Sequence, residues 1–288
     1  MTLQGRGILI TGANQGLGKA IAQASVREGA HVVLCARGAA PLEAARAELS
    51  ELGSAEQKIL AEVADVSHPE DVARLVASAL EGLPRLDGLV NNAGVYGPMG
   101  LTEEVDWAEW RRAIEINLMG TVLLCRAVLP VFRAQAKGKI VNLSGGGATA
   151  PLPRFSAYAA SKAAVVRFTE TLAEETRGSG IDVNAVAPGP LNTRLLDQVL
   201  AAGPERVGQA FYERSLKQKQ QAGACLEKAA QLCTFLLSDA SDGITGRLIS
   251  AVWDRWPSLP TRIAELSQTD IYTLRRIVPE DRGFAWDE

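Results

Sequence analysis

Two histidines, His31 and His68, are all that 288 residues contain, and neither stands beside a cysteine or carboxylate cluster. A histidine-ligated metal centre or a Ser-His-Asp hydrolase needs well-placed histidines, so both are set aside and no metal is expected. His31 reads as a strand start and His68 as a loop residue. Cysteine is sparse too: Cys35, Cys125, Cys225 and Cys233 lie far apart with no C-x-x-C. That spacing argues against a disulfide framework and for reduced, mostly buried thiols in the cytoplasm. Charge of neither sign dominates, with 30 Lys+Arg against 33 Asp+Glu and a net charge of −3. No cationic excess exists to hold a phosphate backbone, so no nucleic-acid partner is expected. Long apolar runs are missing as well. The stretch from 118 to 132 is interrupted by Arg126 and Pro130 and falls short of a membrane span, and residues 1–7 carry no apolar leader core. These absences point to a soluble, cytoplasmic protein with no membrane partner.

What the chain does have is alternation. Short apolar runs at 7–10, 31–35, 88–90, 139–143, 181–186 and 247–250 are separated by helical patterns such as 41–52 and 69–80. The runs lack polar alternation, the mark of strands buried on both faces. Strands joined by helices imply right-handed crossovers, so the predicted fold is α/β, a doubly wound parallel sheet of the Rossmann type. Residues 1–252 read as one dinucleotide-binding and catalytic domain, and residues 253–288 as a C-terminal extension. The extension holds Trp253, Trp256, Tyr272, Phe284 and Trp286, a density that predicts docking on the same or a neighbouring subunit. Segment 192–223 is polar and helical in pattern, either a solvated surface helix or a lid over a site.

The first apolar run leads into Thr11-Gly12-Ala13-Asn14-Gln15-Gly16-Leu17-Gly18 and then a helical pattern. A strand, a tight glycine turn and a helix start are the parts of a pyrophosphate cradle, because glycine permits close backbone approach and the helix N-terminus offers free N–H groups. A P-loop does not fit. Ala20 stands where its magnesium-binding hydroxyl belongs, and Ala13 where its first glycine belongs.

The G-x-x-x-G-x-G spacing after Thr11 resembles the short-chain dehydrogenases/reductases. Asp65 in Val63-Ala64-Asp65-Val66, Asn91-Asn92-Ala93-Gly94, Asn117 in Ile116-Asn117-Leu118, Tyr158-Ala159-Ala160-Ser161-Lys162 and Pro188-Gly189 extend the match in order from about Gly5 to Ile249. The resemblance implies that Gly12, Asn14, Gln15, Gly16, Leu17 and Gly18 cradle the cofactor. It places Asp65, Val66, Asn91, Ala93 and Gly94 along the adenosine, and Pro188, Gly189 and Thr193 at the nicotinamide.

Cofactor choice turns on the end of the second strand. An acid there binds ribose hydroxyls in NAD-using folds, but here Ala36 takes the place and Arg37 follows. A guanidinium suits a 2′-phosphate, so NADP(H) is favoured over NAD(H). Arg37 could instead cap the strand end or stack on adenine, and Gln15 stands where many NADP-using relatives carry a second basic residue.

Tyr158 and Lys162 are four apart, on one helix face. A nearby ammonium favours the phenolate, so the pair reads as an acid–base group brought toward neutral pH. By resemblance Tyr158 exchanges the proton with the substrate oxygen, Lys162 lowers the tyrosine pKa and holds the nicotinamide ribose, and Asn117 holds a relay water. A serine hydroxyl is expected to hydrogen-bond the substrate oxygen. Here the sequence departs from the pattern: the usual position, counted from Asn142, is Gly145, and the hydroxyl sits on Ser144, fourteen residues before Tyr158. Ser144 is the expected fourth catalytic residue, brought forward by the flexible run 145–147.

A second departure is that Val252-Trp253-Asp254-Arg255-Trp256 replaces the family's usual ending. A homotetramer or homodimer is what the resemblance implies. The leading reading is an NADP(H)-dependent oxidoreductase interconverting a secondary alcohol and a ketone. The others are an NAD-preferring dehydrogenase of the same family, a catalytically idle dinucleotide sensor, and an epimerase or dehydratase using bound NAD. The small-molecule substrate stays open. Tyr96, Pro98, Leu152, Phe155, Leu191 and Leu195 suggest a mixed pocket, and Arg154 or Arg194 could bind an anion or lie in solvent.

Overall fold

The apolar runs become the strands of one parallel sheet in the computed structural model, which describes residues 2–220 and 224–286. The strands are β1 (Gly7–Thr11), β2 (His31–Ala36), β3 (Ile59–Val63), β4 (Gly88–Asn91), β5 (Gly138–Leu143), β6 (Ile181–Ala187) and β7 (Leu248–Ser250), in spatial order 3-2-1-4-5-6-7. β1, β4 and β5 are buried along their whole length, which is why they carry no polar alternation. β3 lies outside the six runs read from sequence. It is an edge strand, largely half-exposed, and Glu62 interrupts its apolar character.

Ten α-helices connect and cover the strands among the described residues: α1 (Gly16–Arg27), α2 (Ala39–Leu52), α3 (Pro69–Gly82), α4 (Trp107–Ile114), α5 (Gly120–Gln135), α6 (Ser156–Glu175), α7 (Arg194–Val207), α8 (Gln209–Gln220), α9 (Ala224–Leu237) and α10 (Ile263–Gln268). One sheet face packs Ile21, Leu42, Leu49 and Leu236 from α1, α2 and α9. The other packs Val72, Leu75, Leu124, Val128 and Leu172 from α3, α5 and α6. The two layers match the predicted doubly wound arrangement.

One π-helical turn, Glu115–Met119, joins α4 to α5. Together they form a helix of 29 residues, by length and composition alone enough to cross a membrane, where the sequence reading saw an interrupted stretch. Its inner face carries Cys125, Val128 and Phe132 in the core, as a core helix does.

Chain order in the sheet reverses between β1 and β4, and a crevice opens beyond the carboxyl ends of these strands, where an open α/β sheet takes its ligand. On the far edge, the outer side of β7 is covered by the chain's own extension. Leu248 N–H donates to the Tyr272 carbonyl at 2.8 Å, and the Arg247 guanidinium donates to the carbonyls of Leu266, Thr269 (3.0 Å) and Ile271 (2.8 Å). Leu259 and Leu266 are buried in the core beside Trp256. The extension therefore docks on its own sheet, and residues 287 and 288 lie outside the described residues. Segment 192–223 becomes α7 and α8, with its last three residues, 221–223, also outside them.

His31 opens β2, where Nδ1 accepts from Lys58 N–H, and His68 precedes α3, as their contexts suggest. Cys35, Cys125 and Cys233 are buried thiols, and the side chain of Cys225 lies outside the described residues.

Candidate active site

The glycine turn is built by close approach. Gly12 and Gly16 take φ of 62° and 56°, and a Cβ on Gly18 would fall 2.3 Å from the Gly12 carbonyl oxygen. Backbone thus packs on backbone where β1 hands over to α1. Gln15 precedes α1 without a side-chain cap, leaving the N–H groups of its first turn to a ligand. Thr11 fixes the turn to segment 91–94: its Oγ1 accepts from Asn92 and Ala93 N–H at 3.0 Å each, while Asn92 Nδ2 donates to the Thr11 carbonyl at 2.9 Å. Thr11 and Asn92 were not among the predicted site residues, although both lie inside the quoted motifs. The signal was there as a side chain able to accept two donors at a strand end.

At the end expected to take the adenosine, β2 stops at Ala36 and Arg37 stands exposed, its Nη1 3.8 Å from Asp65. Asp65 accepts from Ser67 N–H (3.1 Å), Ser67 Oγ (2.6 Å) and Arg112 (2.5 Å). Partial burial would raise its carboxyl pKa, but the Ser67 hydrogen bonds and the charges of Arg112 and Arg37 hold it below the ordinary range. Val66 is buried against Gly120. Asn91 turns inward: its amide donates to Asn142 Oδ1 at 2.8 Å, across β4 and β5, so its side chain ties strands together.

At the opposite end, β6 runs out into Pro188 and Gly189, which has φ of 82° and packs on Val252. Thr193 begins α7 with its methyl group against Gly16, so the glycine turn and the start of α7 meet. Asn14 and Leu17 lie in the turn and the first turn of α1, with Leu17 buried.

Tyr158 and Lys162 are both buried on α6. Lys162 Nζ donates to the Leu143 carbonyl at 2.7 Å and lies 5.8 Å from the Tyr158 ring centroid. Burial pushes the amine down to about 8. Burial, with the Tyr96 phenol adding to it, pushes Tyr158 above its ordinary value. This differs from the sequence expectation of a lysine-stabilised phenolate. Desolvation dominates, and the amine's hydrogen bond goes to a backbone carbonyl instead of the phenol.

Asn117 sits fully buried in the π-helical turn, where the widened spiral turns its side chain inward. Its Oδ1 accepts from Val95 N–H at 2.8 Å, and its Nδ2 donates to the Val95 carbonyl (2.8 Å) and Ser161 Oγ (2.9 Å). Ser161 Oγ in turn donates to the Tyr158 carbonyl at 2.7 Å, so one chain of hydrogen bonds runs from segment 94–96 to the tyrosine's own backbone. A Cβ on Gly94 would lie 3.3 Å from Asn117 Oδ1 and 3.6 Å from Lys162 Nζ, which places these groups around one glycine.

Ser144 is buried just past β5, and its hydroxyl has no hydrogen-bond partner among the described residues. The residue against the tyrosine hydroxyl is Gly145, where a Cβ would fall 2.1 Å from Tyr158 Oη. The expected serine is thus one residue before the position that faces the phenol.

Above the tyrosine lies an aromatic cluster. The Tyr96 ring meets Tyr158 edge-on at 4.7 Å and Phe155 at 5.2 Å, and Phe155 packs on Phe211 of α8 at 4.8 Å. Val199 and Val207 of α7 are buried in the same cluster, so α7 and α8 cover the site as a lid. Of the two arginines near the pocket, Arg154 takes φ of 71° and donates to the carbonyls of Glu205 (2.6 Å) and Arg206 (3.5 Å), which commits it to holding the lid. Arg194 is exposed at the start of α7. Beside the cluster, between α4, segment 95–99 and α7, is a cavity of about 540 Å³. Among the described residues no group of His, Cys, Asp and Glu could hold a metal ion.

A family model described as short chain dehydrogenase matches residues 6–202. The chain is 35% identical over 239 residues to 2-(S)-hydroxypropyl-CoM dehydrogenase 3 of Xanthobacter autotrophicus, covering 83% of this chain and 92% of that protein. It is 34% identical over 248 residues to levodione reductase of Leifsonia aquatica, covering 85% and 91%. Among solved structures, a levodione reductase superposes with a TM-score of 0.78 at 31% identity, covering 90% of this chain and 99% of that one. An NAD+-bound xylitol dehydrogenase superposes with a TM-score of 0.77 at 26% identity, covering 87% and 98%.

Proposed function

Because the chain belongs to the short-chain dehydrogenase/reductase family of oxidoreductases, we propose that it interconverts a secondary alcohol and a ketone with NADP(H). The observation that carries the reading is Tyr158 and Lys162 buried one helical turn apart beside Asn117, at the open end of a glycine-lined crevice.

The residues present fit a dinucleotide. Gly12 and Gly18 have no room for a Cβ, which keeps the turn tight beside segment 92–93, the start of α1 has no side-chain cap, and Arg37 with Ala36 before it suits a 2′-phosphate. Gly12 to Gly18 would hold the pyrophosphate, Asp65 and Val66 the adenine, Lys162 the nicotinamide ribose, and Pro188, Gly189 and Thr193 the carboxamide side. When bound, the nicotinamide supplies or accepts the hydride at the carbinol carbon.

Tyr158 Oη gives its proton to the substrate oxygen in reduction and takes it back in oxidation. A phenol raised by burial carries its proton at neutral pH, as transfer to the substrate oxygen requires. In reduction the replacement proton would come from solvent through a water held by Asn117 and through the Lys162 amine, which are grouped around Gly94. Ser144 contributes to the substrate oxygen only through a movement of segment 144–147, so Tyr158 acts as the main polarising group.

The test is turnover of pooled ketones and alcohols with NADP(H) and NAD(H) in parallel, beside Tyr158→Phe. The expected result is turnover with the phosphorylated cofactor, lost by roughly a thousandfold in the variant, the size of a general acid contribution. Turnover with NAD(H) alone overturns the role of Arg37. Binding of neither dinucleotide overturns the whole reading.

A further inference from the structure

We propose that the substrate carries an anionic group, a carboxylate, sulfonate or phosphate, held by Arg206 of the lid at the mouth of the cavity beside Tyr96. The inference rests on the oxidoreductase reading and adds the substrate class to it.

The cavity of about 540 Å³ is walled by Tyr96, Pro98 and Met99 on one side, by Gln198 and Arg206 of α7 on another, and by Arg37 and Arg112 beyond them. Three guanidiniums and a single carboxylate, Glu109, line it. The three arginines are not equivalent. Arg112 is spoken for, within 2.5 Å of Asp65 and 3.4 Å of Glu115. Arg37 lies 3.8 Å from Asp65 at the end of β2, on the cofactor side. Arg206 alone among them makes no ion pair with any described residue, and Glu109 comes within salt-bridge distance of none of the three.

The backbone around Arg206 is held in place. α7 is broken at Gly203, with φ of 76° and ψ of 165°, and restarts at Pro204, so Arg206 sits on a separate last turn. That turn is fixed from outside by Arg154, whose guanidinium takes the carbonyls of Glu205 and Arg206 while its own backbone is held in the left-handed region. The inner end of the cavity is one ring from the chemistry, since Tyr96 lines it and meets the Tyr158 ring at 4.7 Å. The proposed substrate would have its carbonyl at Tyr158 and its anion in the cavity beyond the Tyr96 ring.

The shared chemistry, an anion on Arg206, has two sources: the substrate or the 2′-phosphate of the cofactor. The experiment separates them. Steady-state kinetics are measured with 4-oxopentanoate and 5-oxohexanoate and with their methyl esters, using NADPH and NADH, for the natural chain, Arg206→Ala and Arg206→Lys. We expect the natural chain to favour the acids over the esters in kcat/KM by roughly ten- to hundredfold, the value of a charge-assisted contact. Arg206→Ala removes the preference while ester turnover and cofactor KM stay unchanged, and Arg206→Lys keeps part of it. Equal turnover of acids and esters by the natural chain overturns the proposal and leaves the oxidoreductase reading intact. A rise in the KM for NADPH alone in Arg206→Ala also overturns it, by assigning the arginine to the cofactor. Failure of acids and esters alike together with absent dinucleotide binding overturns the parent reading instead.

Discussion

Tyr158 and Lys162 illustrate how burial resets what a residue pair can do. With the amine at about 8 and the phenol raised, the phenol is neutral at pH 7 while the amine still holds its proton there and gives it up just above. Reduction is therefore expected to hold its rate across neutral pH, while oxidation, which needs the phenol deprotonated, rises with pH; profiles of kcat/KM in both directions check this. The same lysine shapes stability. Its folded pKa lies below its unfolded value of 10.5, so the unfolded chain binds more protons between about pH 8 and 10.5, and stability rises with pH across that window. At pH 7 the buried amine costs about 3 kcal/mol, against the one hydrogen bond to Leu143. Lys162→Met is accordingly expected to keep or raise the melting temperature at pH 7 while losing turnover, and thermal denaturation beside activity tests both halves. Gly145 gives a further case. A methyl group there meets Tyr158 Oη at 2.1 Å, so Gly145→Ala is expected to displace the phenol and reduce kcat about a hundredfold with little change in cofactor binding.

Among the elements, the π-helical turn between α4 and α5 is the one whose geometry the site depends on most directly. It holds Asn117 so that both polar groups of the Val95 peptide and the Ser161 hydroxyl are satisfied by one side chain. Asn117→Ala leaves buried peptide groups without partners and is expected to cost about 2–4 kcal/mol, together with lost turnover; urea denaturation measures the first effect. Sequence patterning revealed six strands, because β1, β2, β4, β5, β6 and β7 carry compact apolar runs. β3 escaped because an edge strand half open to solvent need not be apolar. The π-turn escaped because no residue type encodes it. The residues of the predicted site stand around the crevice, but Asn91 ties strands together and Ser144 faces no partner. Spacing alone could not reveal these orientations, since neighbouring residues leaving a strand end point to opposite sides.

For the whole molecule, the open question left by sequence was where the extension packs, and its backbone hydrogen bonds decide it. An edge strand offers unpaired N–H and carbonyl groups, and a strand of three residues such as β7 has little to hold it. Here the chain's own residues 266–274 take that edge, clamped by Arg247 and by Glu170, which accepts from Leu274 N–H at 2.6 Å. Arg247→Ala removes three carbonyl contacts and is expected to destabilise the chain by about 3 kcal/mol and to promote self-association, read by melting temperature and light scattering.

That clamp also makes the far end of the chain a silent partner in ligand affinity. β7 leads directly into Val252, whose side chain packs on Gly189, the residue proposed for the carboxamide side of the crevice. A protease that nicks the tail, or a bulky fusion that pries it loose, cuts nothing in the crevice itself. It frees the wall on which Gly189 rests, so wear at the terminus would be read first as a weakening grip on the cofactor, before any loss of fold.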